Sequence, residues 1–284
     1  MCIRDSDYAR QRRLTMVTSS VDAAQCYDRM AHSMLALTLR ACKVPQSSVN
    51  CMLQSIREMN FHIRTAFGES SISAGGKHQV KQGSCQGNGA APAGQDRESM
   101  VMLGAHRRAG HTVTITTPIT RESTTQAGVW FVDDTNLWAG LEESDDVESA
   151  VYKAQQGVTH WGRLLIATGG ALKPEKCKWT VHDMVPQEDG TWEYRTINSG
   201  LPTDENDDVD VDPEDALRTM RLTVPQASGD AVAIEQLMHS EAVENLGLFT
   251  RPDGVNEPHL NQVREKIEKW TEQIRSGDLP TRSV

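Results

Sequence analysis

From Ser144 onward, Val147, Val151, Ala154, Val158, Trp161 and Leu165 recur at helical spacing, and the run closes at Gly169-Gly170. A helix with so long an apolar stripe has to bury it against a second layer. Just upstream, AGVWFVDDTNLWAG (residues 127–140) sets two apolar, β-favouring runs on either side of Asp133 and Asp134. A strand pair therefore leads into the long helix, and the rest of the chain shows the same mixture. RMAHSMLALTLRACKVP carries Met30, Met34, Leu37 and Ala41 at helical spacing and ends at Pro45. A second helix follows, with Val49, Leu53, Ile56 and Met59 on one face. FHIRTAF alternates as a strand, GESSISAGGK reads as a hairpin loop, and a helix is predicted from about Pro92 to Ala109 before the β-rich TVTITTPI. KCKWTVHDM and TWEYRTI, joined by EDG, predict a further hairpin. Helices and antiparallel strands are interspersed without an internal repeat, so the fold class is α+β.

At 284 residues the chain can bury a real core as one large or two modest domains. Mean hydropathy is negative and no long apolar run exists, so nothing predicts a membrane span. The six cysteines show neither a CxxC pair nor zinc-ligand spacing. They read as free thiols in a reducing compartment, which places the protein inside the cell, in cytoplasm or nucleus. The opening MCIRDS matches the translation of a sequencing-library transposon end. Residues 1–6 are therefore set apart from fold reasoning as an adapter artefact, and truncation is expected at both ends.

The formal net charge of −10 seems to disfavour a polyanionic partner, but it is unevenly placed. DENDDVDVDPED (residues 204–215) holds eight acidic residues and EESDDVE (residues 142–148) holds five. Without these thirteen charges the remainder stands at −10 + 13 = +3. Read as a solvated loop and a helix N-terminus, the acidic runs leave nucleic acid open as a partner.

Asp133 and Asp134 admit two readings. Asp is a good turn residue between β-favouring runs. Alternatively, two adjacent carboxylates at a strand tip repel unless a divalent cation shares them, and a third carboxylate from elsewhere would complete such a site. VTSSVDAAQCYDRM supplies a candidate in Asp22, at the end of a strand-like run, with Tyr27 and Asp28 opening the next helix. QGSCQGNGAAPAG (residues 82–94) is a Gly-rich loop that permits close backbone approach to a flat or phosphorylated ligand, and Pro92 suits a helix start.

Taken in order, these segments resemble the palm of reverse transcriptases. VDAAQCYDRM is similar to their motif A, QGNGAAP to motif B, FVDD to motif C and GGALKPEKCKW to motif D. VENLGLFTRPDG resembles the primer grip of non-LTR retrotransposon enzymes, at Leu246 and Gly247, and HLNQVREKIEKWTEQI the helix that opens the thumb. The resemblance implies a right-hand polymerase palm, an antiparallel sheet with helices on one face, spanning residues 7–198 with partial fingers. An acidic disordered loop at 199–216 and a primer-grip hairpin with the start of a thumb at 217–284 would follow. The implied activity is RNA-directed DNA polymerisation with two Mg²⁺ ions, or Mn²⁺ in their place, acting on an RNA template, a DNA primer and dNTPs. Asp22, Asp133 and Asp134 would ligate metal. Tyr27 would crowd a ribose 2'-OH, while Gln86, Gly87 and Pro92 would line the nucleotide pocket and Lys176 would protonate pyrophosphate.

Two departures accompany the resemblance. The triphosphate-gripping fingers would lie upstream of residue 7, and Gln95 stands after the motif B proline where an aromatic or apolar residue is expected. A non-catalytic nucleic-acid-binding relic therefore stays open. A palm-fold nucleotide cyclase is disfavoured because FVDD is not its GG-[DE]-[DE]-F hairpin.

Overall fold

A computed structural model of the chain describes residues 2–24, 26–71, 74–75, 82–84, 89, 91–117, 119–194, 220–245 and 248–277. The described residues form helices α1 (Cys2–Arg12), α2 (Cys26–Arg29), α3 (His32–Ala41), α4 (Gln46–Arg57), α5 (Ala91–Arg108), α6 (Val147–Ala167) and α7 (Glu257–Ser276) and one five-stranded sheet. Its strands are β1 (Met16–Asp22), β2 (Gly128–Phe131), β3 (Asp134–Gly140), β4 (Lys178–His182) and β5 (Glu235–Gln236), in the spatial order β5-β4-β1-β3-β2. The class is α+β, as expected, but the sheet is mixed. β4 and β5 run parallel, whereas the other neighbours are antiparallel. No described helix is long and apolar enough to cross a membrane.

The stripe on α6 organises the main core. Val147, Ala150, Val151, Ala154, Val158, Trp161 and Leu165 pack on Val17, Val21, Leu137, Ala139 and Trp179 of the sheet. Trp161 sets its ring edge-on to Trp130 at 4.9 Å. The helix starts at Val147 rather than near Ser144, because Asp146 caps it by accepting the Ser149 N–H at 2.8 Å. Asp145 meanwhile accepts from the Glu142 N–H and pairs with Lys153. Helices also lie on both faces of the sheet, not one. α1 reaches the far face, where Ala9 clusters with Met16, Val113, Trp138 and Leu141. That helix begins at Cys2, so part of the opening hexapeptide is helical.

Several local expectations shift for packing reasons. FHIRTAF is not one strand: Asn60–Phe61 pairs with Ala74–Gly75, and Arg64–Thr65 pairs with Gly68–Glu69. Ile63 and Phe67 are exposed, so no core face holds the alternation together. On α3 the buried residues are Leu35, Thr38 and Leu39, while Leu37 faces solvent and Met30 is buried ahead of the helix. α4 stops at Arg57, leaving Met59 outside it. The KCKWTVHDM run divides, because β4 belongs to the sheet beside β1 and only Met184–Pro186 pairs with Trp192–Tyr194. The acidic segment 199–216, the glycine-rich residues Gln86 and Gly87, and Leu246 and Gly247 lie outside the described residues.

A histidine cluster closes the seam between α5 and α6. His106 and His160 share a hydrogen bond between their Nδ1 atoms at 3.0 Å, and the His111 ring lies tilted against both at 4.9 Å. Burial pushes His106 down to about 3, helped by repulsion from His111 and His160, and burial pushes His182 down to about 4. Both are thus neutral in the fold and protonate in the unfolded chain below their ordinary value of 6.5. Their stabilisation is complete above that value and is lost as pH falls toward 4 and 3. Each loses about 2 kcal/mol by roughly pH 5. Glu98, raised to about 7, works in the opposite sense and offsets about half of the total. A net fall of about 2 kcal/mol between pH 7 and 5 is expected in urea unfolding.

Candidate active site

The antiparallel register decides what meets at the end of the sheet. Asp22, the last residue of β1, lies directly opposite Asp134, the first of β3. Because side chains alternate, both share the face opposite the α6 core, together with Ser20, Asn136 and Lys178. Directly opposed residues bring their Cβ atoms to about 4.5–5.5 Å. Asp133 sits beside them in the two-residue connection between β2 and β3.

That connection is strained. Val132 has φ +59, a left-handed backbone that a β-branched residue adopts only at a cost of order 1–3 kcal/mol. Glycine or asparagine would make the turn without this cost. The turn is nevertheless pinned: the Ala23 N–H donates to the Asp133 carbonyl at 3.0 Å, and the Trp130 indole N–H donates to the Val132 carbonyl. A connection selected only for turning has no need of this arrangement, and it holds two carboxylates at the strand tip.

Lys176 completes the cluster. It ends the short 3-10 turn Pro174–Lys176, which hangs from β1 through the Lys173 N–H donating to the Asp22 carbonyl at 3.0 Å. Its Nζ stands 3.4 Å from Asp22 Oδ2, where the Asp22 side chain is 13% exposed and that of Lys176 56%. Burial first, then repulsion from Asp133 and Asp22, raises the proton affinity of the Asp134 carboxyl, and Lys176 opposes the shift. The three carboxylates carry more negative charge than the Lys176 paired with Asp22 balances. Carboxylate oxygens are the donors that hard cations prefer. Among the described residues no three His, Cys, Asp or Glu side chains form a group that by itself could hold a metal ion.

A hub at the end of α6 ties the nearby segments to these carboxylates. The Ala24 N–H donates to Ala171 O and the Ala31 N–H to Thr168 O, each at 2.8 Å. α2, with the half-buried Tyr27, is suspended between them. The glycine-rich segment docks on α2, as the Ser84 N–H donates to Tyr27 O at 2.7 Å and the Gly83 N–H to Met30 O at 3.0 Å. Gly169, at φ +94, has to be glycine: a Cβ there would come within 2.6 Å of Arg29 O. Pro92 stands exposed in the first turn of α5 and is not brought to the carboxylates by any described contact.

Two residues absent from the sequence reading of this region emerge, Glu98 and the hub residue Thr168. α5 buries Ala91, Gly94, Gln95, Glu98, Met102 and His106 on one face. Gln95 therefore occupies a core position with a polar side chain. The signal for Glu98 was its helical spacing from Gly94 and Met102, which marks a carboxyl on an apolar face.

No family model matches the chain, and no curated protein matches it. Among solved structures the chain is similar to telomerase from Candida tropicalis in complex with a TWJ fragment of telomeric RNA, at 11% identity and a TM-score of 0.40, covering 63% of this chain and 28% of that one. It is similar also to apo telomerase from Candida tropicalis truncated from its C-terminal domain, at 12% identity and TM-score 0.34, covering 68% of this chain and 38% of that one. Telomerase from Candida albicans with a TWJ fragment of telomeric RNA aligns at 13% identity and TM-score 0.34, over 76% of this chain and 36% of that one. The chain thus spans 28–38% of the length of these structures.

Proposed function

We propose that the chain is the palm-containing part of an RNA-directed DNA polymerase of a retroelement, of non-LTR type, which transfers nucleotides from dNTPs to a primer 3'-hydroxyl on an RNA template. The observation that carries this reading is the facing of Asp22 and Asp134 across β1 and β3, with Asp133 at the adjoining turn and Lys176 beside them. Mg²⁺ is commonly bound through one or two carboxylates together with substrate phosphates, so a cage of three protein ligands is not required. Asp22, Asp133 and Asp134 would hold it. When bound, the metal pair supplies charge neutralisation for the attacking and leaving oxygens of an in-line displacement.

The chain's own residues do the rest of the positioning. β1 and β3 are held by seven consecutive register pairs, so Asp22 and Asp134 rest on the ends of firmly paired inner strands, with Asp133 in the adjoining turn. Lys176, paired with Asp22, would exchange that partner for a phosphate oxygen and give a proton to departing pyrophosphate. Tyr27 would pack against the sugar of the incoming nucleotide, with Gln86, Gly87 and Pro92 on the nucleotide side. Leu246 and Gly247, between the paired strands Val243–Asn245 and Leu248–Thr250, would steady the primer.

The test is Mg²⁺-dependent extension of a DNA primer on an RNA template, using the chain together with whatever sequence its gene encodes on either side. Incorporation that requires Mg²⁺ or Mn²⁺ and template-matched dNTPs is the expected result; its absence across metals and templates would end the reading. In the same assay Tyr27→Ala should keep dNTP incorporation within about tenfold and admit ribonucleotides, because it removes bulk and no charge.

A further inference from the structure

The last helix leaves its apolar residues in solvent. On α7, Leu260, Val263, Ile267, Trp270 and Ile274 follow one another at alternating steps of three and four, the spacing of a two-stranded coiled-coil seam. All five are exposed, from 37% at Val263 to 63% at Ile274, and no residue of the helix is buried. α7 meets the strand Leu248–Thr250, and the residues it half-buries, Pro258, His259, Gln262 and Gln273, lie off the stripe. Single exposed apolar residues are ordinary on a protein surface, whereas a continuous apolar patch marks a binding face.

The charges beside the stripe select what covers it. With Leu260, Ile267 and Ile274 at a and Val263 and Trp270 at d, Arg264 falls at e and Lys266 at g, one on each side of the middle of the seam. Glu265, Glu268 and Glu272 lie on the outer face. A second copy of α7 finds no attractive pair there. Side by side in parallel, His259 meets Arg264 and Lys266 meets Thr271; in the two antiparallel registers that keep most of the seam, Arg264 and Lys266 meet either their own counterparts or Thr271 and Gln273. A lipid surface fits no better, because the stripe is narrow and α7 carries as many acidic as basic side chains, four of each. The acidic run at residues 204–215 offers only Val209 and Val211, two residues apart, and is not the missing strand of a heptad seam. We propose that this face of α7 docks a helix of another polypeptide, apolar at its own a and d positions and acidic at e and g, which closes the seam as a two-stranded coiled coil and pairs its carboxylates with Arg264 and Lys266.

The probes are two synthetic peptides of three heptads, with Ile at a and Leu at d, one carrying Glu and the other Lys at every e and g position. Binding to the full chain is followed by anisotropy of the labelled peptide and by tryptophan emission, since Trp270 lies in the seam. The Glu peptide is expected to bind about tenfold more tightly than the Lys peptide, with the difference shrinking as salt is raised. It should shift the emission to the blue, and Trp270→Phe should remove most of that shift while retaining binding. Ile267→Lys should abolish binding and leave the thermal midpoint unchanged, because Ile267 is 54% exposed. The double variant Arg264→Glu, Lys266→Glu should reverse the order of the two peptides. Equal binding of both peptides, or undiminished binding by Ile267→Lys, would overturn the proposal. So would a wild-type dimer in sedimentation that Ile267→Lys dissolves, which would make a second copy the occupant, or a blue shift with phosphatidylglycerol vesicles and none with the Glu peptide, which would make it a lipid surface. None of these readouts uses primer extension, so the docking face is tested apart from the polymerase reading.

Discussion

Asp22→Asn is expected to reduce metal-dependent primer extension by at least about a hundredfold, the scale on which loss of one preorganised electrostatic partner is felt. The substitution keeps the side chain's size and removes the charge that faces Asp134 across the strands. Nucleic-acid affinity should change little, because binding rests on cationic contacts to phosphates. Stability should hold as well. The lost partner is Lys176, more than half exposed, and such pairs contribute little. An independent readout accompanies the activity: with Asp22 neutral, one source of repulsion on Asp134 disappears, so the Asp134 carboxyl should titrate lower than in the wild type. Carboxyl NMR of the variant would show this. Full extension by Asp22→Asn, or an unmoved Asp134 titration, would mean that the facing carboxylates do not act together.

Trp161→Ala is expected to cost about 3–5 kcal/mol, enough to unfold much of the population of a domain of ordinary stability. Trp161 is 1% exposed and meets Trp130 and His106 through ring edges, as well as the sheet residues of the main core. Truncation would leave a large cavity at the point where α5, α6 and β2 meet. Urea denaturation followed by far-UV circular dichroism measures it, and a loss below about 1 kcal/mol would show that the α6 seam does not carry the fold. Trp161→Phe should lose much less, since it keeps most of the volume.

What could be read from the chain by itself follows from short-range periodicity. The α6 stripe from Val147 to Leu165, its stop at Gly169-Gly170, the extent of α5 and the turn at Asp133 are written in local spacing, and each forms within a few residues of its expected limits. Asp22 and the two adjacent aspartates could be picked out only by their order along the chain with the glycine-rich and lysine segments, since singly each reads as an ordinary turn acid. FHIRTAF misled because an alternating pattern without a covering layer has nothing to bury, and the tertiary structure leaves Ile63 and Phe67 in solvent. The parallel pairing of β5 with β4 was likewise unreadable, since it joins segments more than fifty residues apart and depends on which edge of the sheet remains free. The same holds within the site. Local sequence determined that carboxylates stand at the ends of two strands, but strand register across more than a hundred residues decided that Asp22 faces Asp134. Helical spacing put Glu98 on the inner face of α5. Only the packing of α5 against α6 and its neighbours excluded water from that carboxyl, because desolvation is a property of the assembled layers and not of any one segment.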